Sequence, residues 1–158
     1  TDQGVIRRLA RGIYDYPKTS PRLGRRSPDP DAVAAAIARK DGRVVQVSPA
    51  RAANMLGLTT QVPAKAVYLT DGPSRTKQIG AQTIIMRNAA ARNLVGAGKP
   101  TGAVFQALRY LGKDRMDDQV IGKIARTLSA RDRAQLAKQS KHVPAWMHPV
   151  VQQIVAHT

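Results

Sequence analysis

With 158 residues and 42% apolar content, the chain has material for one compact domain with a small appendage and no room for a large enzyme. Twenty-six Lys and Arg against ten acidic residues give a formal charge of +16 and a pI near 11.3, so the expected partner is an anion: nucleic acid first, an acidic protein surface second, an anionic membrane third. The absence of Cys excludes disulfides, thiolate zinc sites and Cys nucleophiles, the absence of Glu excludes a Glu general base, and no apolar run approaches the ~20 residues that span a bilayer, so the expected location is the cytoplasm, away from any membrane.

In chain order, Thr1 to Pro17 reads as a basic β-hairpin. Val5 to Leu9 is an apolar and cationic strand, Ala10-Arg11-Gly12 a turn, and Ile13 to Tyr16 a β-branched and aromatic return strand stopped by Pro17. A hairpin alone is marginal in water and needs a third element to cover its apolar side. One architecture with such a hairpin is the winged helix-turn-helix, whose wing lies on DNA phosphates. On that expectation residues 1–19 are the remnant of a wing whose helices are missing. Residues 20–30 are expected to be a basic linker, with Pro17, Pro21, Pro28 and Pro30 preventing regular structure; Lys18, Arg22, Arg25 and Arg26 are either solvated or ride on a phosphate backbone.

Residues 31–158 would then form a C-terminal α/β domain. Asp29 or Asp31 caps a helix over 32–39, whose Val33, Ala36 and Ile37 keep helical spacing, and Gly42 ends it. A short strand over 43–47 follows, and Ser48-Pro49 starts a second helix that ends at Gly57. The period then changes to two, predicting strands over 66–70, 76–79 and 82–87, joined by the turn Asp71-Gly72-Pro73-Ser74 and the tight hairpin turn Gly80-Ala81. These short connections predict an antiparallel sheet. Helices follow over 101–111, 117–128, 130–139 and 144–157, with Ser129 and Asp132 as an N-terminal capping pair and Pro149 breaking or kinking the last. The expected class is α+β: a small antiparallel sheet with flanking helices and a C-terminal helical region, preceded by the basic hairpin.

Catalytic signals are weak. Adjacent Asp117 and Asp118 point in different directions on a helix and suit a helix start better than a metal. His142, His148 and His157 lack metal-ligand spacing, and no Ser sits in a nucleophile elbow. Gly96-Ala97-Gly98-Lys99-Pro100-Thr101 echoes a phosphate loop without its full spacing, although Lys99 beside a helix N-terminus can hold an anion. The expectation is a protein that is not an enzyme and has neither metal nor cofactor. Lys113, Arg115, Lys123, Arg126, Arg131, Arg133, Lys138 and Lys141 recur through the late helices, where they form either one binding face or a solvated surface. Six aromatic residues without a ladder argue against single-strand stacking platforms and leave a duplex or an acidic protein.

The run Ala52 to Pro63 followed by Tyr68 to Arg75 reads as a helix with a Gly C-cap, a polar extended segment ending in Pro, a strand and a turn; Asn54 and Gln61 are placed to bond backbone groups where the helix stops. These runs, with Ile6 to Pro17, Pro28-Asp29-Pro30-Asp31-Ala32, Ala107 to Lys113 and Pro144-Ala145-Trp146, resemble the AbiE-type antitoxin family (AbiEi-like) of bacterial type IV toxin-antitoxin systems over nearly the whole chain. The resemblance implies an N-terminal winged helix-turn-helix that represses its own operon on double-stranded promoter DNA. It also implies a C-terminal domain that counteracts a nucleotidyltransferase-like toxin, with or without touching it. Arg7, Arg8 and Arg11 match the cationic positions of the family's wing, and Asn54, Gly57, Gln61, Pro63, Tyr68 and Arg75 match its motif, mainly as architecture. The alternative is a general nucleic-acid-binding protein using its basic surface.

Overall fold

Proline-led helix starts and left-handed glycines after helix ends set several of the element boundaries. The computed structural model describes residues 29–157 throughout and, nearer the N-terminus, the backbone of four short strands. Strands β1 (Arg7–Ala10) and β2 (Ile13–Asp15) pair antiparallel, with Arg8 opposite Tyr14 and a register shift before Ala10 meets Ile13. The two strands therefore pair as their pattern predicts, with Ala10 in the strand and not in the turn; Arg11 and Gly12 lie outside the described residues. The segment expected to be an irregular linker is not wholly so: β3 (Thr19–Ser20) and β4 (Gly24–Arg25) form a minimal antiparallel ladder. Its four residues all carry an N–H, and the prolines of this stretch fall outside it.

Helix α1 (Pro30–Lys40) starts earlier than its apolar period suggests, because Asp29 caps it and Pro30 occupies its first position. Gly42, at φ +67°, lets the amides of Gly42 and Arg43 turn back to the carbonyls of Arg39 and Ala38. Strand β5 (Val45–Val47) is shorter than the predicted one, since the Val44 amide bonds the Asp71 carboxylate at 2.9 Å. Ser48 caps α2 (Pro49–Met55), and Gly57, at φ +74°, closes it in the same way as Gly42 closes α1.

Strands β6 (Ala66–Thr70), β7 (Arg75–Ile79) and β8 (Gln82–Asn88) complete a sheet of order β5-β6-β8-β7. The class is α+β, but the sheet is mixed and not antiparallel throughout: β8 enters between β6 and β7 and runs parallel to β6. The Asp71 to Ser74 turn does not fold β7 back onto β6. It arches over the end of β8, where the Asn88 side chain donates to the Gly72 carbonyl at 2.8 Å and the Asn88 amide to Ser74 Oγ at 2.8 Å. Two strand spacings are only about 10 Å, a distance four residues cross easily, so a short connection did not require pairing.

Helix α1 covers one face of the sheet, burying Val33, Ala34 and Ile37 against Tyr68, Ile79, Ile84 and Met86. A second core lies among α3 (Pro100–Leu111), α4 (Asp118–Arg126), α5 (Ala130–Gln139) and α6 (Met147–Ala156), around Phe105, Leu108, Ile124, Leu136, Met147 and Ile154. The link is α2, whose Ala52 and Ala53 pack on Ala103 and Ala107 of α3. Ser129 and Asp132 form the capping box their spacing predicts, with bonds of 3.0 and 3.3 Å. Pro149 does not break the last helix. That helix begins at Met147, so the proline lies in its first turn, where an N–H has no intrahelical partner.

Gly102, in the first turn of α3, is fixed by crowding: a Cβ there would overlap the Gln46 side-chain amide and the Gly96 carbonyl. Gly102→Ala is expected to destabilise the protein by about 1–3 kcal/mol. Gly122→Ala in α4 meets only the ends of the Arg126 and His157 side chains, at 3.2 Å, and should change stability far less. Urea midpoints of the two variants against the parent measure the contrast.

Candidate functional site

Asp29 satisfies the start of α1, which leaves Asp31 free to serve the tertiary structure. The Tyr68 hydroxyl on β6 donates to Asp31 Oδ1 at 2.5 Å, and Arg51 Nη2 on α2 donates to Oδ2 at 3.1 Å. Arg51 Nη1 also reaches Asn54 Oδ1 at 3.2 Å, and Asn54 Nδ2 donates to the Gln61 carbonyl at 2.9 Å. One hydrogen-bonded chain thus runs from α1 through β6 and α2 into the loop after α2. It forms one side of a 580 Å³ cleft whose other walls include Pro63, Lys65, Gln82 and Thr83.

Tyr68 is 3% exposed, and its phenol is pushed well above the ordinary tyrosine range by burial first, then by the hydrogen bond and negative charge of Asp31. It is therefore a fixed proton donor. Asp31 has both oxygens engaged, one by Tyr68 and one by Arg51, so the arrangement clamps α1, β6 and α2 together. Among the described residues no group of three or more His and Asp side chains is placed to hold a metal.

Of the motif residues, Asn54, Gln61, Pro63 and Tyr68 gather at this cleft or the loop beside it. Asn54 bonds a backbone carbonyl, as its place at a helix end predicts. Gln61 does not: its side-chain oxygen accepts only a weak contact of 3.5 Å from the Tyr110 hydroxyl on α3. Gly57 ends α2, and Arg75 lies elsewhere, pairing with Asp41 at the end of α1. Asp31 and Arg51 are the members that sequence reasoning missed. The signal that could have found them was two Asp residues at one helix start, of which only one can cap.

The cations of the late helices divide. Lys113, Arg115, Lys123, Arg126, Arg131, Lys138 and Lys141 are exposed, whereas Arg133 turns inward to bond the His157 carbonyl and, at 2.8 Å, the Ala125 carbonyl, closing the ends of α6 and α4. On α3, Arg109 donates to the Arg92 carbonyl at 3.2 Å, and burial, then the like charge of Arg92, pushes its guanidinium below the ordinary value. The carboxylates are used internally. Asp29, Asp117 and Asp132 cap helices, Asp31 and Asp41 pair with arginines, and Asp71 holds the Val44 amide. Between residues 29 and 157 this leaves only Asp114 and Asp118 outside a cap or pair. Of the N-terminal cations, Arg11, Lys18, Arg22 and Arg26 lie outside the described residues, and Arg7, Arg8 and Arg25 are placed by backbone pairing alone.

Residues 1–136 match one protein family, from the N-terminal hairpin into α5. The chain belongs to DUF6088, a family of unknown function. No curated protein and no solved structure matches the chain. The whole Asp31 cluster falls within the DUF6088 match, whereas α6, which supplies Met147, Val151 and Ile154 to the helical core, lies beyond it. No helix among the described residues is long and apolar enough to cross a membrane.

Removing the phenol tests the clamp. Tyr68→Phe should cost about 1–3 kcal/mol at pH 7, because Asp31 loses a buried donor. Folding raises the pKa of Tyr68 from its ordinary 10.0, so its contribution is complete below pH 10 and declines as pH rises above it, where only the unfolded chain releases the proton. Tyr68→Phe should flatten that decline. Urea midpoints from pH 7 to pH 11 measure both effects.

Proposed function

We propose that this chain is an antitoxin-type regulatory protein that works by binding, with double-stranded DNA as its first polyanionic partner, and not by catalysis. The observation that carries the reading is the uneven use of charge: six of the eight carboxylates between residues 29 and 157 are committed to caps, ion pairs or a backbone amide, while the lysines and arginines of α4, α5 and their flanking turns, Arg133 excepted, stand exposed. A surface with this imbalance releases counterions when it meets a phosphate backbone. The basic hairpin β1-β2 supplies the shape of a wing, and the resemblance to AbiE-type antitoxins supplies the regulatory setting. In that setting a complete winged helix-turn-helix reads promoter base edges, and the C-terminal domain opposes a nucleotidyltransferase-like toxin in the cytoplasm. The clamp at Asp31, with both carboxylate oxygens engaged, fits a scaffold role in such a protein.

Titration of promoter and scrambled duplexes across a salt series tests the binding. For roughly 5–8 phosphate contacts, log affinity should fall by about 4–7 per log unit of salt. Replacing Lys123, Lys138 and Lys141 by Gln should lower that slope by up to about 0.9 for each phosphate that is no longer neutralised. Co-expression with a neighbouring toxin gene should restore growth if the antitoxin reading holds. Equal affinity for both duplexes without rescue favours a general nucleic-acid binder, and a salt-independent or absent interaction overturns the polyanion reading.

A further inference from the structure

Among the α-helices of the described residues, α5 buries the least. Leu136 is its one buried residue and shares a core with Ile121 and Ile124 of α4 and Ile154 of α6. At ~3.6 residues per turn, Ala137, Ala130, Ala134, Lys138, Arg131 and Gln135 follow one another around the helix; all six are exposed, so about 160° of its circumference is open. The three alanines form one side of that face and the three long hydrogen-bond donors the other. Arg131, Gln135 and Lys138 engage no partner among the described residues. Asp132, the one carboxylate on α5, is turned back onto the Ser129 amide at 3.3 Å and leaves the face without an anion.

Behind this face the helix is firmly held. Thr127-Leu128-Ser129 joins it to α4, a three-residue connection of the length found in a helix-turn-helix. Leu128 is buried, the capping box closes the start of α5, and Arg133 ties α5 to the last carbonyls of α4 by its 2.8 Å bond to Ala125. The open face carries no large apolar side chain, so it lacks the anchor that a protein interface or a membrane surface needs. Its chemistry suits base edges instead. A helix of this length is about 15 Å long, the major groove of B-DNA is about 12 Å wide and admits a helix, and small methyl groups let the backbone come close to the groove floor. Arg pairs with guanine, Gln with adenine, and an Ala methyl packs on the thymine methyl. Duplex RNA does not fit, because its major groove is too narrow to enter. Lys141, in the turn after α5, and Arg126, in the last turn of α4, are exposed at the two ends of the helix, where phosphates flank a groove.

We propose that α4 and α5 form a helix-turn-helix that lays the open face of α5 in the major groove of duplex DNA, with Arg131 and Gln135 on base edges and Lys138 and Lys141 on phosphates. This rests on duplex DNA being the partner and adds base readout by the C-terminal helices to it.

Selection of the whole chain on a pool of randomised duplexes, followed by affinities for the enriched and a scrambled sequence at fixed salt, tests it. The enriched site should bind about a hundredfold more tightly, and Arg131→Ala and Gln135→Ala should each cut that preference about tenfold and relax the choice of base at one position. Gln135 carries no charge, so its effect cannot come from net charge, and alanine at an exposed helical position keeps α5 folded. Lys138→Gln should weaken both duplexes alike, and Arg87→Gln, which removes an equal charge from β8, should leave the preference unchanged. An absence of any enriched sequence, or a preference that survives both alanine variants, overturns base readout by α5 while leaving DNA as a partner. Failure to bind any duplex overturns both the readout and the DNA reading beneath it.

Discussion

A single carboxylate joins the sheet half of this protein to the helix that leads into its other half. Asp31 is held by Tyr68 from β6 and by Arg51 from α2, and α2 packs through Ala52 and Ala53 onto α3. The side chains at that last interface are small, so the two helix backbones approach closely and leave little room for adjustment. Taking Asp31 away would strand a buried hydroxyl and a half-buried guanidinium together, which is far more disruptive than the net worth of either bond suggests. The clamp therefore defines where α2 stands, and with it both neighbouring cavities, each of which has Asp31 and Tyr68 on its wall.

The same economy governs charge. A chain with ten acidic side chains and a formal charge of +16 has few anions to place, and among the described residues most of them cap helices, fix a turn or pair with arginines. Arg133 shows the converse: a cation that looks like part of a binding face in the sequence is used to satisfy two helix ends. What reaches the surface is consequently more basic than an even distribution would give, and this is the property on which the regulatory reading rests.

Much of the local structure was legible in the chain itself. Asp29-Pro30, Ser48-Pro49 and Ser129 with Asp132 start helices by capping chemistry that depends only on nearby residues, and Gly42 and Gly57 stop them because the conformation required there is left-handed. The sheet order was not legible. Whether the Asp71 to Ser74 turn pairs its flanking strands or vaults over a third depends on Asn88, fourteen residues beyond Ser74. Pro149 departs from its expected effect for a related reason: the damage a proline does depends on its distance from the helix start, and that start was set by packing of Met147 into the core.

The sequence by itself determined the α+β class, the helix caps, the Gly80-Ala81 hairpin turn and the excess of positive charge, because each follows from backbone preference or composition acting over a few residues. Only the tertiary structure decided that β8 lies between β6 and β7, that Asp31, Arg51 and Tyr68 meet, and that Gln46 faces the start of α3. The side chains that meet at Asp31 stand 20 and 37 positions from it in the chain. No local preference encodes such a meeting, since it is the shared burial of two cores that brings the partners within reach.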